Sequence, residues 1–183
     1  MSFPRVFSAP FIALACVVLV AGPLASAAAP GTDVEAKLKA LGLTLPATSA
    51  PVANYVPAVR SGSLVYLAGH IPRGADGKVI KGKVGRGATV EQANAAARQT
   101  ALALLATLKN EIGDLNKVKR IVRVGGFVNA AEDFEAQPAV INGCSDLLVA
   151  LFGDRGRHSR AAIGAGSLPL GAIVEIEMVV EVE

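Results

Sequence analysis

One short run near the C-terminus, His158-Ser159-Arg160-Ala161-Ala162-Ile163-Gly164, combines residue type and spacing in a way that bears directly on chemistry. On a strand beginning at Ser159, Arg160 and Ala162 share a face by the period of two, and the residues through Gly166 are small apart from Ile163. Space is therefore left beside the guanidinium. Its rigid fork of N–H donors suits a carboxylate, so an Arg in this setting is fitted to grip a small organic acid by two bonds. The ordinary alternative is a solvated Arg at a strand start, or one paired with an acid such as Glu175. The residues alone leave both readings open. The two histidines, His70 and His158, each read more readily as structural or surface residues than as bases. Phosphate cradles are excluded, because Gly82-Lys83-Val84-Gly85-Arg86-Gly87 has too few residues between its glycines for a P-loop and matches neither glycine fingerprint.

The elements that position these residues fit one ordinary domain within 183 residues. Residues 1–28 read as a cleavable secretory leader. Arg5 is followed by an apolar run from Pro10 to Leu24 and the small-residue cut site Ala25-Ser26-Ala27. The expected mature protein starts near Ala28, is periplasmic or secreted, and has no membrane segment. Loss of the leader removes Arg5 and Cys16, leaving 17 Lys plus Arg against 15 acids, a net charge of about +2. That balance does not suit a polyanion binder. With Cys144 the one remaining cysteine, no intrachain disulfide forms.

Residues 29–51 are expected to supply a short helix over Asp33–Leu41 and an extended connector. The main domain, 52–183, should open with a hairpin of Val52–Val59 and Leu64–His70 around a turn at Arg60–Ser63. Ile71–Gly87 reads as one long loop, whose cations are a solvated fringe or a weak lure for anions. A helix from Thr89 to Ile112 carries a Thr89/Gln92 capping box and an apolar face of Val90, Ala93, Ala97, Ala101, Leu104, Leu108 and Ile112. A strand at Val118–Val128 follows as a parallel crossover. Next comes a second helix over Asp133–Phe152, with Pro138 in its early turns and Ile141, Cys144, Leu148 and Phe152 inward. Strands at Ser159–Gly166 and Ala172–Val182 close the chain. The last alternates Val174, Ile176, Met178, Val180 and Val182 against a face bearing Glu175, Glu177, Glu181 and Glu183. The order ββαβαββ predicts a two-layer α+β fold, a mixed sheet with two helices on one face.

From Ser159 to Ile176 the run SRAAIGAGSLPLGAIVEI resembles the signature of the Rid (YjgF) family of reactive-intermediate deaminases. In that signature a small residue and Arg precede a strand, then Leu-Pro, then an apolar residue and Glu. GHIPRGADGKV, the helix EQANAAARQTALALLATLK and the strand end FVN are similar to the family too. The resemblance spans roughly residues 50–183. It implies a chorismate-mutase-like homotrimer with three sites in clefts between subunits. It also implies hydrolysis of small enamines and imines, such as 2-aminoacrylate, to a 2-keto acid and ammonia without metal or organic cofactor. Matched by motif, Arg160 binds the substrate carboxylate and Glu175 positions the attacking water. Tyr55 lines the site, Gly69 and Ala162 offer backbone amides, and Asn142 stands for the helix asparagine. Ala162 occupies a place where many members have Cys, and His158 one that is commonly Pro or Ala. The competing reading is a non-catalytic module that binds a small carboxylate in the same cleft. Ribonuclease action, a label some relatives carry, finds little basic groove or aromatic platform here.

Overall fold

The computed structural model describes residues 33–48 and 53–183, so the expected leader lies outside the described residues. Helix α1 (Val34–Ala40) is capped by Asp33, whose carboxylate accepts the N–H groups of Glu35 and Ala36, and it buries Val34 and Leu38. Its Glu35 meets Lys109 of the next helix at 2.7 Å.

Strand β1 (Ala58–Ser61) pairs antiparallel with β2 (Leu64–His70). The hairpin is tighter than expected. Among the described residues its first strand starts at Ala58, the expected start at Val52 lying outside them, and the turn is Gly62-Ser63 alone, with Gly62 at φ +60° where a side chain would be strained. Pro57 just upstream has no N–H to give a ladder. Helix α2 (Val90–Ile112) carries the expected capping box, and its predicted face is buried except at half-buried Val90. Helix α3 (Gln137–Phe152) begins four residues later than expected. Pro138 lies in its first turn, where a missing N–H costs nothing, and Asp133 does not cap it. Ile141, Cys144, Leu148 and Phe152 are all buried.

β3 (Val118–Asn129), β4 (Ser159–Ala165) and β5 (Val174–Val182) complete a five-stranded sheet of order β1-β2-β5-β3-β4. Only β3 and β4 are parallel neighbours, joined through α3. β2 and β3 both run antiparallel to β5 and hence parallel to each other, so α2 is the crossover that the sequence suggested. Val174, Ile176, Met178, Val180 and Val182 pack into the helix-side core as their alternation requires. The other sheet face has no covering layer among the described residues. Val59, Tyr66 and Ile163 are each about half exposed there.

The 71–87 loop is tied down, not a solvated fringe throughout. Val84 is buried, its N–H bonded to the Asn129 carbonyl, and Lys83 Nζ donates to the carbonyls of Ala130 (3.2 Å) and Gly166 (2.5 Å).

Candidate functional site

Register decides which way each candidate side chain points. Arg160 pairs with Val124, which in turn pairs with Met178, and both of these lie in the helix-side core. Arg160 and Ala162 therefore face the helix layer from β4, the edge strand. Glu175 pairs with Phe127, and Phe127 with Ile163, on the uncovered face. Within one chain Arg160 and Glu175 thus lie on opposite sides of the sheet. An Arg160–Glu175 ion pair inside the chain, the bland alternative for this arginine, is excluded.

On the helix side, Arg160 Nη1 donates to Asn142 Oδ1 at 2.9 Å and to Ser145 Oγ at 3.0 Å, both from α3. Residues three apart on a helix share a face, which is why Asn142 and Ser145 reach one guanidinium. Both Nη1 hydrogens are spent on the protein, and the Nε/Nη2 edge has no partner among the described residues. Ala162, half-buried against the core, adds no bulk beside it. His158 Nε2 lies 3.0 Å from Ser145 Oγ, and its Nδ1 lies 2.7 Å from the Gly156 carbonyl. Burial lowers the pKa of His158 below the ordinary histidine value, and the Arg160 charge lowers it further, while the Gly156 bond opposes both. Cys144, one residue from Ser145, is fully buried, and desolvation pushes its thiol up to about 12 despite the Arg160 charge. It packs, as expected, and is poorly suited to redox work.

The opposite half is shaped by backbone. Pairing of β2 with β5 shifts register between Leu67 and His70, so Ala68 and Gly69 bulge against β5. A Cβ on Gly69 would collide with Glu175 Oε1, so only glycine lets that carboxylate lie over the bulge. Gly125 does the same for Glu177, where a Cβ would come within 2.6 Å of Oε1. Glu177 is held by Arg123 at 2.6 Å. Burial, and then the charge of Glu177, raise the Glu175 pKa above the ordinary glutamate value. His70 turns away from this face, with Nε2 2.8 Å from Thr107 Oγ1 of α2 and Nδ1 2.7 Å from the Ala68 carbonyl. It is structural. Tyr55 is half exposed just before β1, at the sheet edge opposite β4.

The candidates accordingly fall into two groups. Arg160, Ala162 and Asn142 gather at the β4 edge, joined by Ser145 and His158, which the residue pattern did not single out as partners. Gly69 and Glu175 gather at β2–β5, with Tyr55 toward that edge. Among the described residues, no three His, Cys, Asp or Glu side chains cluster as a metal site would need. No helix among them is long and apolar enough to cross a membrane.

Comparison with known proteins adds a lineage. The family model described as "YjgF/chorismate mutase-like, putative endoribonuclease" matches residues 35–182. Protein TCP17 of Trypanosoma cruzi is 42% identical over 149 residues, covering 81% of this chain and 93% of its own. The crystal structure of Atu1372 from Agrobacterium tumefaciens is 43% identical with a TM-score of 0.76, covering 82% of this chain and 94% of that one. RidA from an Antarctic Psychrobacter is 26% identical with a TM-score of 0.53, over 76% of this chain and 96% of its own.

Proposed function

Because the chain belongs to the YjgF/chorismate mutase-like (Rid) family, we propose that it hydrolyses small 2-imino and 2-enamino acids, such as 2-aminoacrylate, to a 2-keto acid and ammonia. The observation that carries this reading is the unspent Nε/Nη2 edge of Arg160, held in place by Asn142 and Ser145. That edge takes the substrate carboxylate in two charge-assisted bonds.

Glu175 accepts a proton from water as the oxygen bonds to C2 and the C=N pair moves onto nitrogen. The proton passes to that nitrogen, and the carbinolamine collapses, with the hydroxyl proton leaving on ammonia as the C–N bond breaks. An enamine first becomes the imine by taking a proton from water at C3 as its nitrogen gives one back, so that no net proton is consumed. A carboxyl with a raised pKa is a better base for this step than an ordinary one. Ala162 and the bulged Gly69 supply backbone amides, and Tyr55 lines the entrance.

A pocket that contains both Arg160 and Glu175 must draw them from two copies, because in one chain they face opposite ways. We therefore place the sites between neighbours of a homotrimer, each combining one subunit's Arg160 group with the next subunit's Glu175 group. No metal or organic cofactor takes part. With residues 1–28 as its leader, the mature chain works in the periplasm or outside the cell.

The test generates 2-aminoacrylate in situ with a serine dehydratase and follows keto-acid release with the mature protein and with Arg160→Ala. Acceleration by the wild type alone is expected. No acceleration over buffer by the wild type would sink the deaminase reading. Pyruvate binding that Arg160→Ala abolishes, without turnover, would leave the carboxylate-binding module in its place.

A further inference from the structure

Three groups beside Arg160 form a directional hydrogen-bond chain that ends on its guanidinium. The Gly156 carbonyl can only accept, so the His158 nitrogen 2.7 Å away, Nδ1, carries the ring proton. In the neutral ring Nε2 is then an acceptor, and the Ser145 hydroxyl 3.0 Å away donates to it. With its proton committed, Ser145 Oγ turns a lone pair toward Arg160 Nη1 at 3.0 Å. The second Nη1 hydrogen goes to Asn142 Oδ1.

We propose that Ser145 and His158 are positioning residues for the carboxylate clamp, fixing the Nη1 side of Arg160 so that its Nε/Nη2 edge meets the ligand. The imidazole acts at one remove. It sets the polarity of the Ser145 hydroxyl, without which that hydroxyl is free to rotate and point its proton at the guanidinium. Burial keeps His158 in the neutral form that this polarity needs. A long, exposed Arg on an edge strand otherwise loses much rotamer freedom when it binds a ligand, and ordering it beforehand lowers that cost. The residue types fit the role, since one hydroxyl oxygen can accept from Arg while its own hydrogen is donated to His.

This inference rests on Arg160 being the clamp, and the experiment separates the two claims. Pyruvate is the probe, measured by calorimetry on the full mature protein, with folding of each variant followed by thermal melting. Arg160→Ala should abolish binding. Ser145→Ala should weaken it by roughly tenfold, the size expected when one bond to a charged group is lost, and His158→Ala, which acts through Ser145, should weaken it several-fold and by no more than that. Ser145→Thr keeps the hydroxyl, and His158→Gln keeps an acceptor near the Nε2 position, so both should bind within about twofold of wild type on the same scale. In turnover the Ala variants should raise KM while kcat changes little, a split that general loss of packing does not produce. Wild-type affinity in Ser145→Ala and His158→Ala, with Arg160→Ala still abolishing binding, would overturn the positioning role and leave the clamp standing. Undiminished binding by Arg160→Ala would overturn the clamp itself.

Discussion

The two halves of the candidate site are built by opposite means. At the β4 edge, side chains place the functional group. Asn142 and Ser145 from α3 take up one nitrogen of Arg160, and His158 orders Ser145 in turn. At β2–β5 the backbone does the placing. A bulge and the missing side chain of Gly69 make room for Glu175. The clamp is thus set by bonds made, and the acid by bulk left out. Substitutions should therefore damage affinity in the first half and the chemical step in the second.

The largest expected effect lies in the acid half. Glu175→Gln should lower turnover on the order of 10²–10⁴-fold, the range for losing a general base, while pyruvate affinity by calorimetry stays near that of wild type. A loss of affinity instead would dissolve the distinction between the halves. Next, Arg160→Ala should weaken pyruvate binding by at least about 100-fold, since two charge-assisted bonds are lost together. A smaller effect follows from Gly69→Ala, whose Cβ displaces the Glu175 carboxylate. Its kcat should fall on the order of tenfold or more, as misplacement of a reacting group implies, with KM little changed.

The acid half also has a pH signature in stability. A raised Glu175 pKa means the folded state favours the protonated carboxyl. That stabilisation is fully present below the unfolded glutamate value of about 4.3 and is lost as pH rises through the folded value. Glu175→Gln should therefore raise the melting temperature slightly at pH 7 and leave it unchanged near pH 4, as thermal melts would record. Activity that depends on the ionised carboxylate should fall on acidification at a higher pH than an ordinary glutamate would allow.

How much of this could be read from the chain varies with how local the signal is. The α2 capping box spans four residues, and the β5 alternation is a period of two, so both are written in neighbouring residues and both stand in the fold. Arg160 is also legible as a candidate by its small neighbours, and Glu175 only by the resemblance of its Val-Glu to the family signature, since by pattern alone it is one of several glutamates on an exposed face. Their separation onto opposite faces is not, because it depends on β5 inserting between β2 and β3, a long-range pairing that no local period encodes. Ser145 was legible only as a polar residue three after Asn142. Its bond to His158 crosses the end of α3 and a 3-10 turn at Gly153–Gly156. The α3 start falls at Gln137 rather than Asp133 because Pro138 suits the first turn of the helix, a boundary that apolar spacing does not fix.

That separation is the centre of the account, and mixing inactive subunits tests it most directly. Arg160→Ala and Glu175→Gln proteins, each inactive alone, are unfolded together in equal amounts, refolded and assayed for keto-acid release. If each site takes Arg160 from one subunit and Glu175 from another, random assembly restores about a quarter of wild-type activity, the chance that both contributions are intact. Mixed assemblies that form and yet stay as inactive as their parents would contradict it, because a site built within a single chain cannot be repaired by a neighbour.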